Sequence, residues 1–218
     1  MATKYTGLLT EATIIDHSIR ADLTPGLARL NPVVYAEVQQ AIREDMPSCE
    51  DWTPVSIYMR IATMVAKISG RIFIGPEQCR NTDYLDCAIN YTMDVMVVLR
   101  AVKEINPWLR PILGPRLPEL KRLQNRERLA RDILMPIIQA RCDSEANDPN
   151  WEKPDDMLSW FMTRRVDYGI ESIDFMAKLQ LGLIFAAIHT TTLSTTNMYV
   201  IFLSSQSLPT PPLLACEV

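Results

Sequence analysis

Hydrophobic and polar positions follow a helical spacing along most of this chain. From Thr53 onward, Val55, Tyr58, Ile61, Ala62, Val65 and Ile68 recur three or four residues apart, which places them on one face of a helix. Thr53-Pro54 offers a capping hydroxyl followed by a proline at the first helical position, and Gly70 stands where such a helix is expected to stop. Leu30, Val34, Val38 and Ile42 share a face in the same way and predict a helix from about Leu27 to Glu44, behind a second Thr-Pro pair, Thr24-Pro25. Thr82 to Glu104 reads as a third helix. Pro107, Pro111, Pro115 and Pro118 break the next stretch into turns. A helix over Pro118 to Arg141 follows, then a polar surface loop over 143–156, then one long helix from Ile170 to Phe202. Within that last helix, Leu181 to Ile188 is apolar on every side, the pattern of a helix buried in the middle of a protein. The expected fold is mainly α with this segment at its centre.

Composition narrows the class. Twenty-two Lys and Arg against 26 Asp and Glu give the 218 residues a net charge of −4, with 48% hydrophobic and 22% charged positions. That is a globular balance, not a disordered one. Seven glycines are too few for an all-β fold or a glycine-rich dinucleotide-binding fold. The acidic sign speaks against a dedicated nucleic-acid binder. Five cysteines, odd in number and without a C-x-x-C pair, read as free thiols in a reducing compartment, and two histidines exclude a His-rich zinc site. No signal-peptide pattern opens the chain, and its unbroken apolar runs fall far short of the ~18 residues of a membrane span, so as written it reads as cytoplasmic. Seven basic and three acidic residues between Arg116 and Arg141 read as a solvated helix face.

Chemistry concentrates at one place. Ala186-Ala187-Ile188-His189-Thr190-Thr191-Thr192, followed by Thr195 and Thr196, puts five threonines into seven positions of a buried helix. Thr is poor helix material, and its hydroxyl can bond the carbonyl one turn back and loosen the helix there. One reading is a small, polar, slightly opened notch that lets a flat ligand approach the backbone. The other is a helix whose threonines bond locally and whose histidine is satisfied in the core. Other chemistries lack their motifs: no G-x-S-x-G, no G-x-x-x-x-G-K and no H-E-x-x-H occurs. Asp16-His17-Ser18 are consecutive and read as a polar turn.

The stretch A-A-I-H-T-T (186–191) resembles the distal-pocket motif, Ala/Gly-Gly-x-acid-Thr-Thr, of the fungal cytochrome P-450 haem-thiolate monooxygenases. LTPGLARLNP, CEDWTPV, SGRIFIGPEQCRN, YLDCAINYTMDVM and PWLRPILGP are similar to the same group, in order, so that the resemblance covers about residues 7–203. It implies a partial cytochrome P-450 fold, an incomplete domain running from the central helical block through the long distal helix, with 204–218 a non-homologous, disordered tail. It implies insertion of one oxygen atom of O₂ into a C–H bond of an apolar, terpenoid-like secondary metabolite, with haem as cofactor, an NADPH-cytochrome reductase as partner, and the endoplasmic reticulum membrane as the family's location. Thr190, with His189 and Thr191, matches the residues of proton delivery, His189 standing where many members have an acid. Ala186 and Ala187 match the small residues over which haem and substrate lie. Arg20 matches the partner of a haem propionate, with Asp16 at the family's Trp position.

The family's thiolate ligand comes from a Phe-x-x-Gly-x-x-x-Cys-x-Gly loop after the distal helix. Here only Cys216 follows that helix, and Val218 holds the place of the loop's second glycine. The family's Glu-x-x-Arg pair is matched by spacing at Glu77/Arg80 and Glu119/Arg122, both before the helix, and the latter reads as a surface i,i+3 pair. The membrane anchor and first β-sheet of the family have no counterpart. The expectation is a chain that does not perform the reaction alone. The alternative is a non-catalytic helical protein that binds an apolar ligand or a protein partner.

Overall fold

The computed structural model describes residues 13–48, 53–170 and 172–205; they are mainly helical, with no strand among them. In chain order the helices are α1 (Thr13–Ser18), a π turn (Ile19–Leu23), α2 (Thr24–Asp45), α3 (Ile57–Phe73), α4 (Thr82–Glu104), α5 (Arg110–Leu113) running into a 3₁₀ turn (Gly114–Arg116), α6 (Pro118–Asn147), α7 (Met157–Arg164) and α8 (Ile173–Ser205). This is the mainly-α architecture expected.

α8 is the axis of the fold. It packs against α3, α4, α6 and α7. On one side Leu179, Leu183, Ile184 and Ile188 join the main core with Ile61, Val65, Phe73, Leu134, Ile138 and Phe161. On another side Leu181 joins a second cluster with Tyr91, Val95, Val98 and Leu123, between α4 and α6. Two cores on two faces explain why the helix has no polar stripe. The burial does not run its whole length. Leu193, Met198, Tyr199, Val200, Ile201 and Phe202 are exposed. By length and composition α8 could cross a membrane, although 44% of its apolar window is buried inside the protein. Counting unbroken apolar runs missed this, because Thr, Ser and Gln interrupt the runs without making the helix polar.

Several boundaries differ from the sequence reading, each for a local reason. Thr24-Pro25 opens α2 with the proline in its first turn, but Thr24 does not cap it. The Thr24 N–H bonds the Ile19 carbonyl in a π turn, and its hydroxyl donates to the same oxygen at 2.8 Å, so α1 and α2 form one rod. Thr53-Pro54 precedes its helix by several residues; α3 begins at Ile57 behind Ser56. Gly70 lies inside α3 and serves close packing, since a Cβ there would meet Tyr84 at 3.0 Å and Cys79 at 3.2 Å. The stop is Gly75, whose φ of +98° suits only glycine and whose N–H bonds back to the Gly70 carbonyl. On α2 the predicted face turns slightly: Leu30, Glu37 and Ala41 are buried, while Ile42 is 49% exposed.

α6 extends to Asn147, so residues 143–147 are helical, not loop. The end of the supposed surface loop is buried. Asp156 caps α7 through the Ser159 N–H at 2.9 Å and receives both Arg141 guanidinium ends at 2.7 Å. Arg141 also donates to the Ile74 carbonyl at 3.0 Å. The basic stretch of α6 is likewise not a purely solvated face. Arg122 pairs with Asp94 and Arg126 with Asp94 and Asp86, all on α4, and Arg131 reaches Asp174 on α8. The predicted Glu119/Arg122 pair gives way to the Arg122–Asp94 pair. Arg80, the other spacing match, binds Glu37 and Glu44 of α2 instead of Glu77. The expected tail, 204–218, lies outside the described residues from 206 on; Ser204 and Ser205 are the last turn of α8.

Candidate functional site

The candidate residues of α8 divide by direction. A step of one residue turns ~100° around a helix, so neighbours in sequence face different surroundings. Ala186, Thr190 and Thr191 are exposed, Ala187 and His189 are half-buried, and Ile188 and Thr192 are buried. The open face is therefore made of a methyl group and two threonines, on a helix that is otherwise core at this level. The Thr190 hydroxyl donates to the Ala186 carbonyl at 2.7 Å, Thr192 to Ile188 at 2.8 Å and Thr196 to Thr192 at 2.8 Å. These local bonds satisfy the hydroxyls in the way such threonines allow.

His189 faces the other way. Its Nδ1 lies 2.7 Å from the Tyr58 hydroxyl of α3, and its Nε2 2.6 Å from the Ile89 carbonyl of α4. The two rings are nearly parallel, inclined by 23° with centroids 6.3 Å apart. Burial pushes the Tyr58 phenol above its ordinary pKa, which keeps it protonated. Tyr58 and His189 help line a groove of about 430 Å³. Met59, Ile89, Met93 and Val97 give it apolar lining, and the Asp94–Arg122–Arg126 cluster lines it too. Sequence reasoning singled out His189 but missed Tyr58 and Ile89, because both partners come from other helices and one is a backbone carbonyl.

Arg20 lies in the π turn, highly exposed, and pairs with Asp16 at 3.1 Å one turn back. Its neighbourhood is tied to α7 through Arg164, which holds Asp22 with two bonds of 2.8 and 2.9 Å. His17 bonds the Tyr168 hydroxyl at 2.8 Å, which takes it out of any grouping with Asp16 and Ser18. The structure thus brings Ala186, Ala187, Thr190 and Thr191 together on one stretch, turns His189 to the α3–α4 side, and sets Arg20 on a separate element.

Among the described residues, Ala186, Thr190 and Thr191 leave a small, open methyl and hydroxyl face on α8. The described cysteines do not fit as the thiolate that would hold a haem iron. Cys79 and Cys87 are buried, and Cys142 is half-buried and accepts a bond from Arg165 at 3.5 Å. Burial pushes the Cys87 thiol up to about 12, far from the thiolate that iron ligation needs. Among the described residues no group of three or more His, Cys, Asp or Glu side chains could hold a metal ion. Cys49 and Cys216 lie outside the described residues.

Comparison with known proteins points to one family. No profile of a known protein family matches the chain, and no solved structure does. Curated relatives match closely. A cytochrome P-450 monooxygenase of Stachybotrys chlorohalonatus is 38% identical over 197 residues, 90% of this chain and 41% of that protein. One of Penicillium canescens is 35% identical over 86% of this chain and 36% of its own length, and one of Annulohypoxylon truncatum 34% identical over 87% and 38%. The chain spans about two fifths of the length of these relatives. With its helical architecture and its A-A-I-H-T-T stretch on the central helix, it belongs to the fungal cytochrome P-450 monooxygenase family.

Proposed function

We propose that this chain forms the distal wall of a haem-thiolate monooxygenase of fungal secondary metabolism, the side on which oxygen and substrate meet. The observation that carries the reading is the small, threonine-bearing face of α8, open at the one level where the rest of the helix is core. When bound, the haem of this family supplies the insertion of one atom of O₂ into a C–H bond of an apolar, terpenoid-like substrate, with electrons from an NADPH-cytochrome reductase at the endoplasmic reticulum membrane. The chain's own contribution is positional. Ala186 and Ala187 keep the wall flat enough for ring systems to approach. Thr190 presents a hydroxyl at the wall, with Thr191 beside it, and its bond to the Ala186 carbonyl can be exchanged for one to a ligand. Arg20 offers a guanidinium to a propionate, which requires it to leave Asp16. Residues 1–203 act as this partial domain, and of the expected tail, 204–218, Ser204 and Ser205 go with α8. The 218 residues alone do not turn over, since none of their cysteines sits in the loop that supplies the thiolate.

Two measurements test this. The purified chain, mixed with haem, reduced and exposed to carbon monoxide, is expected to give no Soret band of thiolate-ligated haem; such a band overturns the claim that it is inactive alone. In a chimera, residues 7–203 replace the matched stretch of the Stachybotrys chlorohalonatus enzyme. That chimera is expected to bind haem, and Thr190→Ala in it to divert oxygen reduction away from product. A chimera that holds haem yet shows no effect of Thr190→Ala removes Thr190 from the site.

A further inference from the structure

The position of His189 in the family motif suggests a proton carrier, but the geometry around its ring gives a different role. A backbone carbonyl can only accept, so the 2.6 Å contact to Ile89 places the ring proton on Nε2. In the neutral ring Nδ1 is then an acceptor, and the Tyr58 hydroxyl donates to it at 2.7 Å. A proton relay needs a partner on each side that can both take and give a proton. Tyr58 qualifies. The Ile89 carbonyl does not, so a proton entering from Tyr58 has no onward path through the ring. The Thr190 hydroxyl, meanwhile, is bonded to the Ala186 and Ala187 carbonyls of its own helix, at 2.7 and 3.3 Å.

We propose that His189 is a positioning residue and that Tyr58 is its counterpart: together with the Ile89 carbonyl they clamp α8 to α3 and α4 beside the small-residue face. The clamp lies where the helix needs one. Thr190, Thr192 and Thr196 all bond back to carbonyls of the helix, a pattern that loosens and bends it. A side chain held at both ring nitrogens by two other helices fixes the rotation of α8 at this level, and so the direction in which Ala186 and Thr190 point. The functional weight of the clamp rests on the reading that this face is the working one; its geometry does not.

The test on the chain itself is nitrogen NMR of the ¹⁵N-histidine-labelled protein. The expected spectrum shows His189 as a single Nε2–H tautomer. Tyr58→Phe is expected to keep that tautomer and shift Nδ1 towards the value of an unbonded ring nitrogen. A protonated Nδ1, tautomer averaging, or an Nδ1 signal that Tyr58→Phe leaves unmoved overturns the clamp. Hydrogen exchange of the 186–192 amides gives a second measure. Tyr58→Phe is expected to speed exchange about three- to tenfold, the worth of one neutral hydrogen bond, His189→Asn, which takes away the ring's bonds to both helices, at least as much, and the double variant no more than the larger single; fully additive effects overturn the proposal. In the chimera, His189→Gln can still donate to Ile89 and accept from Tyr58, so turnover is expected to fall less than about tenfold. A loss of about 100-fold or more marks a proton carrier instead. A chain that fails the haem experiments but passes the NMR test keeps the clamp and loses the monooxygenase reading, so the two fail separately.

Discussion

The first twenty residues of α8 and its last thirteen are built from similar side chains and meet opposite surroundings. Up to Thr192 the helix runs between two apolar clusters and buries residues on several faces. From Leu193 onward Met198 is 72% exposed, Ile201 68% and Phe202 59%. Neither part carries a charged side chain after Lys178. The difference teaches that apolar composition qualifies a helix for an interior, whereas burial depends on how far its neighbours reach. Thirteen residues at ~1.5 Å each carry the helix about 20 Å past the last buried position, Thr192.

The sharpest way to break the comparison is to put one charge into each part. Leu183→Lys buries an unpaired ammonium and is expected to cost more than about 4 kcal/mol, enough to abolish cooperative unfolding. Met198→Lys is expected to stay within about 0.5 kcal/mol of the parent in urea titration. Equal losses mean that the second part is covered in solution. Truncation asks the same question more gently. Ile184→Ala is expected to cost about 2–5 kcal/mol through lost burial and a cavity, and Ile201→Ala almost nothing.

Acid sharpens the contrast from outside. The Lys67 ammonium, with Gln40, holds the Glu44 carboxyl at about 2 against an ordinary 4.5. Burial alone would lower Lys67, yet the hydrogen bonds it donates to Asp45 and Glu44 hold it above its usual value. The Glu44 carboxyl is depressed on folding, so its contribution is fully present above pH 4.5 and is lost as pH falls towards 2. Glu44 is partly exposed, and solvent screening leaves about 1 kcal/mol or less at stake. Lys67→Met is expected to flatten the stability profile over that window, while α8 beyond Lys178 adds no carboxylate to it. The smallest effect is chemical. At pH 8 a maleimide is expected to label Val200→Cys within seconds and Cys142 slowly, and to leave Cys87 unlabelled. Cys87 packs in the cluster that covers Leu181, and its thiol is pushed up to about 12. Labelling of Cys87 at the rate of Val200→Cys would show the two parts of α8 to be equally open.

Features written in consecutive residues were legible before any coordinates. Thr82–Glu104 is bounded by an asparagine whose side chain accepts from the Asp83 and Tyr84 N–H groups, and it was placed correctly from pattern alone. So was the central helix, within three residues at either end. What stayed hidden depends on contacts across the chain. Gly70 looks like a stop and is a packing notch, because only the fold brings Tyr84 and Cys79 against it. Arg122, Arg126, Arg131 and Arg141 of α6 look like a wet surface and instead bind carboxylates 15 to 43 positions away. The threonine stretch was visible as an anomaly, yet the partners of His189 lie 131 and 100 residues off.

The π turn at Ile19–Leu23 has a consequence for how an insertion or deletion would be felt. It fits one more residue into a turn than an α-helix would, so it sets the rotational phase of α1 relative to α2. Deleting one residue there would return the rod to α register with its phase kept, whereas adding one more would swing α1 by ~100° about its axis. Ile14 would leave the core, and His17 would leave Tyr168. One residue of length thus works as an angular key, and the rod locks onto α7 at one angle only.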